Sequence, residues 1–406
     1  MQIVRGWRQY LIDDAGRAYL DAINNVAHVG HGHPRVVAAA RRQMARLNTN
    51  NRFVYANLVE FSERLKALLP DTLSVVFLVN SGSEANDLAL RLARTYTGSE
   101  HVLTIDGAYH GNTTAVYEVS TSILDNPTAA KAVKPYVHPV IQPNTFRGPH
   151  GADDPHAGLK YAAAVETAVA QLQSVGQRPA AFIGECLLGA PGGILPPAGY
   201  FPRVYDLVRA AGGVCIADEV QVGLGRVGSH RWAFEMQGVA PDIVTLGKPL
   251  GNGFPVSAVV TTPAIAEAFR QRFTYFNTFC GNPVACAAGL AVLDVLRDED
   301  LQANAREVGA YFKAGLEDLM ARHALVGAVY GQGLYLGVDL VRERETKAPA
   351  AAEAMAVCER MRDYGIIVYP TGDYYNILKI KPPLIFSRAN ADFFVAQLDR
   401  VLTEGW

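Results

Sequence analysis

The segment Val214-Cys215-Ile216-Ala217-Asp218-Glu219-Val220-Gln221-Val222-Gly223 is a short apolar run that ends in two acids and a turn. Its first four residues are too few for a buried helix and read as a strand covered on both faces. The chain repeats this pattern. Ser74–Val79, His101–Ile105, Ala180–Gly184, Asp242–Leu246 and Val256–Val260 are also short and continuous rather than alternating. Between them lie helical stretches such as Glu84–Tyr96, whose apolar positions 85, 88, 89, 92, 93 and 96 share one side. The succession predicts an α/β fold, with a mostly parallel, mixed sheet flanked by helices. Open sheets of this kind take ligands outside the carboxyl ends of their strands, where Asp218 and Glu219 fall.

Toward the C-terminus, a helical stretch runs from Asn282 toward Ala321, broken near Asp298–Asp300. Strands are expected at Ala324–Tyr330, Gly333–Leu340, Gly365–Tyr369 and Asn376–Ile380. They would form a smaller α+β lobe. The N-terminal stretch Arg5–Leu20 reads as two strands around Asp13-Asp14-Ala15-Gly16 and would join that lobe. A chain of 406 residues exceeds one compact core. We therefore expect residues 48–296 to form a large domain, and 1–47 with 297–406 a small one. Asn126–Lys160, rich in Pro, Gly, His and Asp, reads as an irregular excursion over the surface.

Composition narrows the function classes. Half of the residues are hydrophobic and 19% are charged, the profile of a globular protein. The net charge is -2 and no run of Lys and Arg occurs, which argues against nucleic acid and lipid surfaces. The five cysteines are odd in number and form no C-x-x-C pair. This excludes zinc and redox motifs and fits reduced thiols in a cytoplasmic protein; no metal site is expected. Neither a secretory signal nor an apolar run of about 18 residues is present, so membrane spanning is not expected.

Three segments carry chemistry. In Val79-Asn80-Ser81-Gly82-Ser83-Glu84-Ala85-Asn86 a strand ends, a glycine turn follows and an amphipathic helix begins. Ser81 and Glu84 have the spacing of a capping box. The free N–H groups of such a start suit a phosphate, and Gly82 allows close approach. The same residues equally make a capped helix without a ligand. Asp218 needs a cation if it is buried, and a protonated pyridine nitrogen is one such partner. By itself it reads as well as an Asp capping the next turn. In Asp242-Ile243-Val244-Thr245-Leu246-Gly247-Lys248-Pro249 a strand delivers a lysine between Gly and Pro. In a partly dry pocket that lysine would have a lowered pKa and condense with an aldehyde. Alone, it reads as a surface residue. Together, a phosphate cradle, an acid and a lysine at strand ends of one sheet match the needs of pyridoxal 5'-phosphate (PLP).

The chain resembles a class III aminotransferase of PLP fold type I over essentially its whole length. The Asp218-Glu219-Val220 segment and the Gly247-Lys248 turn, 30 residues from Asp to Lys, carry the likeness. The resemblance implies that Lys248 holds the cofactor as a Schiff base and shuttles the proton, while Asp218 binds the pyridine nitrogen. It implies that Val220 packs beneath the ring and that Gln221 approaches the ring hydroxyl. Ser81, Gly82 and Ser83 would hold the phosphate. Tyr109 would stack on the other ring face with His110 beside it; otherwise Tyr109 is a core aromatic. Thr278, in Asn277-Thr278-Phe279, would reach the phosphate of a partner subunit, implying a homodimer. Glu185 matches the family's active-site acid, a structural salt bridge being its competitor. Arg226 is expected to be structural.

Within the family, Ile23-Asn24-Asn25-Val26-Ala27-His28-Val29-Gly30-His31, Leu47-Asn48-Thr49-Asn50 and Leu378-Lys379-Ile380-Lys381-Pro382-Pro383 resemble the ethanolamine-phosphate and 5-phosphohydroxylysine phospho-lyases. Members that transaminate amino acids usually carry Arg where Lys379 stands. A planar fork grips a carboxylate, whereas Lys is a point charge that also suits phosphate. Arg52, Tyr55 and Lys379 are thus candidates for binding a small-molecule amine, with Lys381 behind them; Arg52 also reads as a solvated helix-start residue.

Two reactions follow. A phospho-lyase would eliminate phosphate and give an aldehyde and ammonia. An omega-transaminase would pass the amino group to a keto acid through the same Lys and Asp. A PLP-sensing regulator would need a DNA-binding module, and no helix-turn-helix segment is legible. Relatives usually carry several dozen more N-terminal residues, so the chain is expected to be a domain of a longer protein or a truncated member. Cys280, where Gly is common, and Phe254, where phospho-lyases often have His, are departures beside the cofactor.

Overall fold

The computed structural model describes residues 1–50, 52–128 and 132–406. At the N-terminus, β1 (Ile3–Trp7), β2 (Tyr10–Asp13) and β3 (Ala18–Asp21) pair antiparallel. The central sheet contains β4 (Val75–Val79), β5 (His101–Ile105), β6 (Val137–Val140), β7 (Pro179–Gly184), β8 (Val214–Asp218), β9 (Ile243–Leu246) and β10 (Ser257–Thr261). Their order is β4-β10-β9-β8-β7-β5-β6. Only β10 runs against its neighbours, since the link from Leu246 to Ser257 is too short for a helical crossover.

Covering on both faces explains the continuous apolar runs. In β8, Cys215 and Ala217 join a core with Tyr200, Phe201 and Tyr205 on one side. Val214 and Ile216 join a second core with Leu88, Ala89 and Leu92 on the other. Helices Tyr200–Ala210 and Gly82–Thr97 supply these two layers.

A third core underlies the small lobe. There β11 (Val326–Gln332), β12 (Tyr335–Glu343), β13 (Ala348–Pro349), β14 (Ile366–Ile367), β15 (Tyr369–Thr371) and β16 (Ile377–Ile380) follow two long helices, Pro283–Asp298 and Leu301–Arg322. The break between the helices is at Asp300, whose φ of 45° is left-handed. β14 pairs in parallel with β3, which ties the N-terminal strands to the C-terminal lobe.

Three expectations need correction. The N-terminal stretch makes three strands rather than two, because Arg8, at φ 55°, turns the chain between β1 and β2. The run Gly365–Tyr369 splits between two sheets as β14 and β15. The excursion Asn126–Lys160 contains an edge strand, β6, through Val137-His138-Pro139-Val140. Proline is tolerated there because β6 has a neighbour on one side only.

Candidate active site

The carboxyl ends of the central strands open onto a cavity of about 280 Å³. Ser81, Gly82, Ser83, Tyr109, His110, Glu185, Asp218, Val220, Gln221 and Lys248 all line it, together with Phe254. Each follows or closes a strand of the sheet. Ser81 caps its helix as expected, accepting from the Glu84 N–H at 3.2 Å. The Glu84 carboxylate reaches back one residue further, to the Asn80 N–H at 3.0 Å.

Asp218 is buried and heavily supported. One carboxylate oxygen accepts from Asn86 Nδ2 and His110 Nδ1, each at 2.8 Å. The other accepts from the Val220 N–H at 3.1 Å and lies 3.5 Å from Thr245 Oγ1, its partner across β9. Such donors hold the group as an acceptor. Glu219 points away. It accepts from the Ala233 and Phe234 N–H groups at 3.0 and 2.9 Å, and burial pushes its carboxyl up to about 8.

Val220 lies between two glycines. A Cβ at Gly82 would come within 2.7 Å of Val220 Cγ1, and one at Gly247 within 2.9 Å. Burial lowers the pKa of the Lys248 ammonium, opposed by the charges of Asp218, Glu185 and Asp125. Burial, with the charge of Asp218, lifts Glu185 to about 7. Glu185 accepts from the Gly189 N–H at 2.8 Å and from Gln221 Nε2 at 3.3 Å.

PLP fits these residues. The acid, the lysine and the apolar plate of Val220 share one cavity with the helix start at Ser81. The buried Oδ1 of Asn86, whose Nδ2 bonds Asp218, has no partner among the described residues.

The substrate candidates Arg52, Tyr55 and Lys379 do not line this cavity, nor does Thr278, the residue read as reaching a partner's cofactor phosphate. Arg52 and Thr278 are exposed, and the Arg52 guanidinium stands 5.5 Å from the Phe276 ring centre. Tyr55 caps helix Ala56–Lys66, with its hydroxyl buried and without a partner among the described residues; burial and then the neighbouring Cys286 and Cys280 raise its pKa. Lys379 sits on β16, where burial brings it down to about 8 within the fields of Glu185 and Lys248.

Sequence reasoning gave no role to Asn86, Thr245, Asn25 or Tyr335. An Asn on the buried side of an otherwise apolar helix was the available signal for Asn86. The others come from distant segments. Arg226, buried, donates to the Leu334 and Pro382 carbonyls and to His28 Nδ1. Burial and this guanidinium keep His28 neutral, at about 3.

Fold and cavity together define a PLP-dependent enzyme of fold type I. The class-III aminotransferase family model matches residues 1–402, and the chain belongs to that family. It is 48% identical to a Drosophila melanogaster protein named alanine–glyoxylate aminotransferase 2-like, over 99% of this chain and 82% of that one. It is 42% identical to the Caenorhabditis elegans ethanolamine-phosphate phospho-lyase homolog 1, over 99% and 88%. An Arthrobacter phospholyase solved in complex with phosphoethanolamine superposes with a TM-score of 0.94 at 40% identity, covering 100% of this chain and 95% of that one.

Proposed function

We propose that this protein is a phospho-lyase that eliminates phosphate from a phosphoethanolamine-like primary amine. The observation that carries the reading is the pair of lysines beside the cavity, Lys379 on β16 and Lys381 just after it. Both lysines lie in the field of Lys248, with Glu185, a raised acid, as the main counter-charge. A dianionic phosphate would offset this excess, whereas a carboxylate would favour the planar fork of an arginine.

Bound PLP withdraws electrons from the substrate Cα. Asp218 would hold the pyridine nitrogen, Val220 and Tyr109 would face the ring, and Ser81, Gly82 and Ser83 would take the cofactor phosphate. Lys248 would accept the Cα proton. The carbon–oxygen bond then breaks, inorganic phosphate leaves with the electron pair, and water releases ammonia and the aldehyde. Lys379 would orient the leaving group, with Arg52 and Tyr55 toward the substrate side. The exposed apolar residues Phe53, Val54, Phe276 and Phe279 flank Arg52 and Thr278 in sequence and support a homodimer in which Thr278 reaches the partner's cofactor. Cys186, Cys215, Cys286 and Cys358, free and buried, support a cytoplasmic setting; no helix among the described residues is long and apolar enough to cross a membrane.

The 48% identical relative named as an aminotransferase supports a second reading, omega-transamination. One experiment separates them. With phosphoethanolamine and no keto acid, a phospho-lyase releases phosphate and ammonia over many turnovers. A halt after one turnover, with the cofactor aminated, would reject our reading in favour of the transaminase.

A further inference from the structure

Gln221 lines the cavity beside Asp218, and its side-chain amide has an uneven environment. Three donors converge on Oε1: Lys381 Nζ and Tyr335 Oη at 3.4 Å, and Asn25 Nδ2 at 3.5 Å. Its Nε2 faces an acceptor, Glu185 Oε1, at 3.3 Å. The orientation of an amide is settled by its network. Turned over, this one would set an NH2 group against an ammonium, a hydroxyl and an NH2, and its oxygen against a carboxylate. The surroundings allow one orientation, with one Nε2 hydrogen on Glu185 and the second left over.

Lys381 itself is outside the cavity lining. Its ammonium donates to Asn25 Oδ1 at 3.1 Å as well as facing Gln221. The charged groups around it are Lys379, Lys248, Arg226 and Glu185, so three of its four charged neighbours repel it. Burial and these cations hold its pKa well below the ordinary lysine value. A cation kept among cations is costly for a structural tie that a neutral donor would serve equally well. The cluster is also closely fitted. A Cβ at Gly189 would meet Tyr335 Oη at 2.6 Å, Glu185 Oε1 at 2.7 Å and Gln221 Nε2 at 2.8 Å.

We propose that Lys381 is a positioning residue of the cofactor site: with Asn25 and Tyr335 it locks the Gln221 amide so that its spare N–H, not its oxygen, faces the ring hydroxyl of PLP. This rests on the cofactor placement given above, and not on the choice between lyase and transaminase. A donor and a nearby positive charge both favour the ionised ring oxygen and disfavour the proton shared beside it. Removing them raises the pH at which that proton is lost.

The test is a pH titration of the visible absorption of the resting, cofactor-loaded protein, with no substrate present. Lys381→Met keeps the length and removes the charge, and should move the midpoint upward by about one pH unit. Tyr335→Phe removes one of the three donors and should move it the same way by less. An unchanged midpoint in a fully loaded Lys381→Met protein overturns the proposal. Should that variant fail to hold the cofactor, Tyr335→Phe decides alone, an unmoved midpoint again overturning it. Loss of cofactor by both would mark the cluster as structural and likewise reject the proposal. Failure of the cofactor placement itself would show separately, as wild-type protein carrying the cofactor on a lysine other than Lys248.

Discussion

The residues that line the cavity and those proposed to bind substrate draw on different parts of the chain. Ser81, Gly82, Ser83, His110, Asp218 and Lys248 all lie within a few residues of a strand end in one sheet. Arg52, Tyr55 and Lys379, the substrate candidates, come from a connecting segment, a helix start and a strand of another sheet. The acid at the cofactor end is also well supported by its own chain. Four groups surround the Asp218 carboxylate. Among the substrate candidates, the Tyr55 hydroxyl has no partner among the described residues and Arg52 stands exposed. A cofactor that never leaves rewards a rigid, internally satisfied site. Substrate binding falls to parts that can be exchanged without disturbing that site.

The contrast can be broken at its strongest point. If Asp218 holds the ring nitrogen as proposed, Asp218→Asn takes away its counter-charge, and kcat should fall by about 10²–10⁴-fold in steady-state assays. A smaller loss than tenfold would mean that the acid is a structural cap.

At the other end, Lys379→Met should raise KM for a phosphorylated amine by about 10- to 100-fold, the worth of one charged hydrogen bond. The spectrum of the resting cofactor should stay as it was. A changed spectrum with unchanged KM would mean that Lys379 belongs to the cofactor end instead.

Gly82→Ala sharpens the contrast from the cofactor side. Its methyl group would press on Val220, and overpacking of this kind costs about 1–3 kcal/mol. Titration of the cofactor-free protein with PLP should show affinity reduced by roughly tenfold, with KM for the amine little affected.

The smallest effect concerns Glu219, the acid that turned away. Its folded carboxyl lies at about 8 against an ordinary 4.5. Between those values the folded state holds a proton that the unfolded state has released. The stabilising difference is present below pH 4.5 and is lost as pH rises through about 8. The wild-type unfolding midpoint should therefore decline across this window, at up to about 1.4 kcal/mol per pH unit from this group. Glu219→Gln removes the titrating proton, though it keeps an acceptor for only one of the Ala233 and Phe234 N–H groups; it should be less stable than wild type, but its decline across the window should be shallower. Glu185, raised to about 7, adds to the slope in both proteins.

Much of this was legible in the sequence because strand-end chemistry is local. Asp218 and Lys248 each terminate a short apolar run, and the continuous character of those runs follows from a sheet with core on both faces. The Gly-flanked lysine and the Ser81 cap needed only neighbours in the chain. Asn25 and Tyr335 did not show themselves, and Lys381 was legible only as a candidate toward the substrate, since their meeting at Gln221 joins segments each more than a hundred residues from it. Strand β6 was hidden for a different reason: Pro139 argues against a strand unless one knows that it lies at an edge. The split of Gly365–Tyr369 into two sheets was likewise invisible, as both halves are apolar and continuous.

The account depends most on which lysine carries the cofactor, because three of them, Lys248, Lys379 and Lys381, have lowered pKa values around one cavity. Borohydride reduction of the PLP-loaded protein, followed by peptide mass analysis, reads this directly. We expect a yellow protein that bleaches on reduction, with one equivalent of the pyridoxyl group on the peptide containing Lys248. A colourless protein, or the label on Lys379 or Lys381, would contradict the site described.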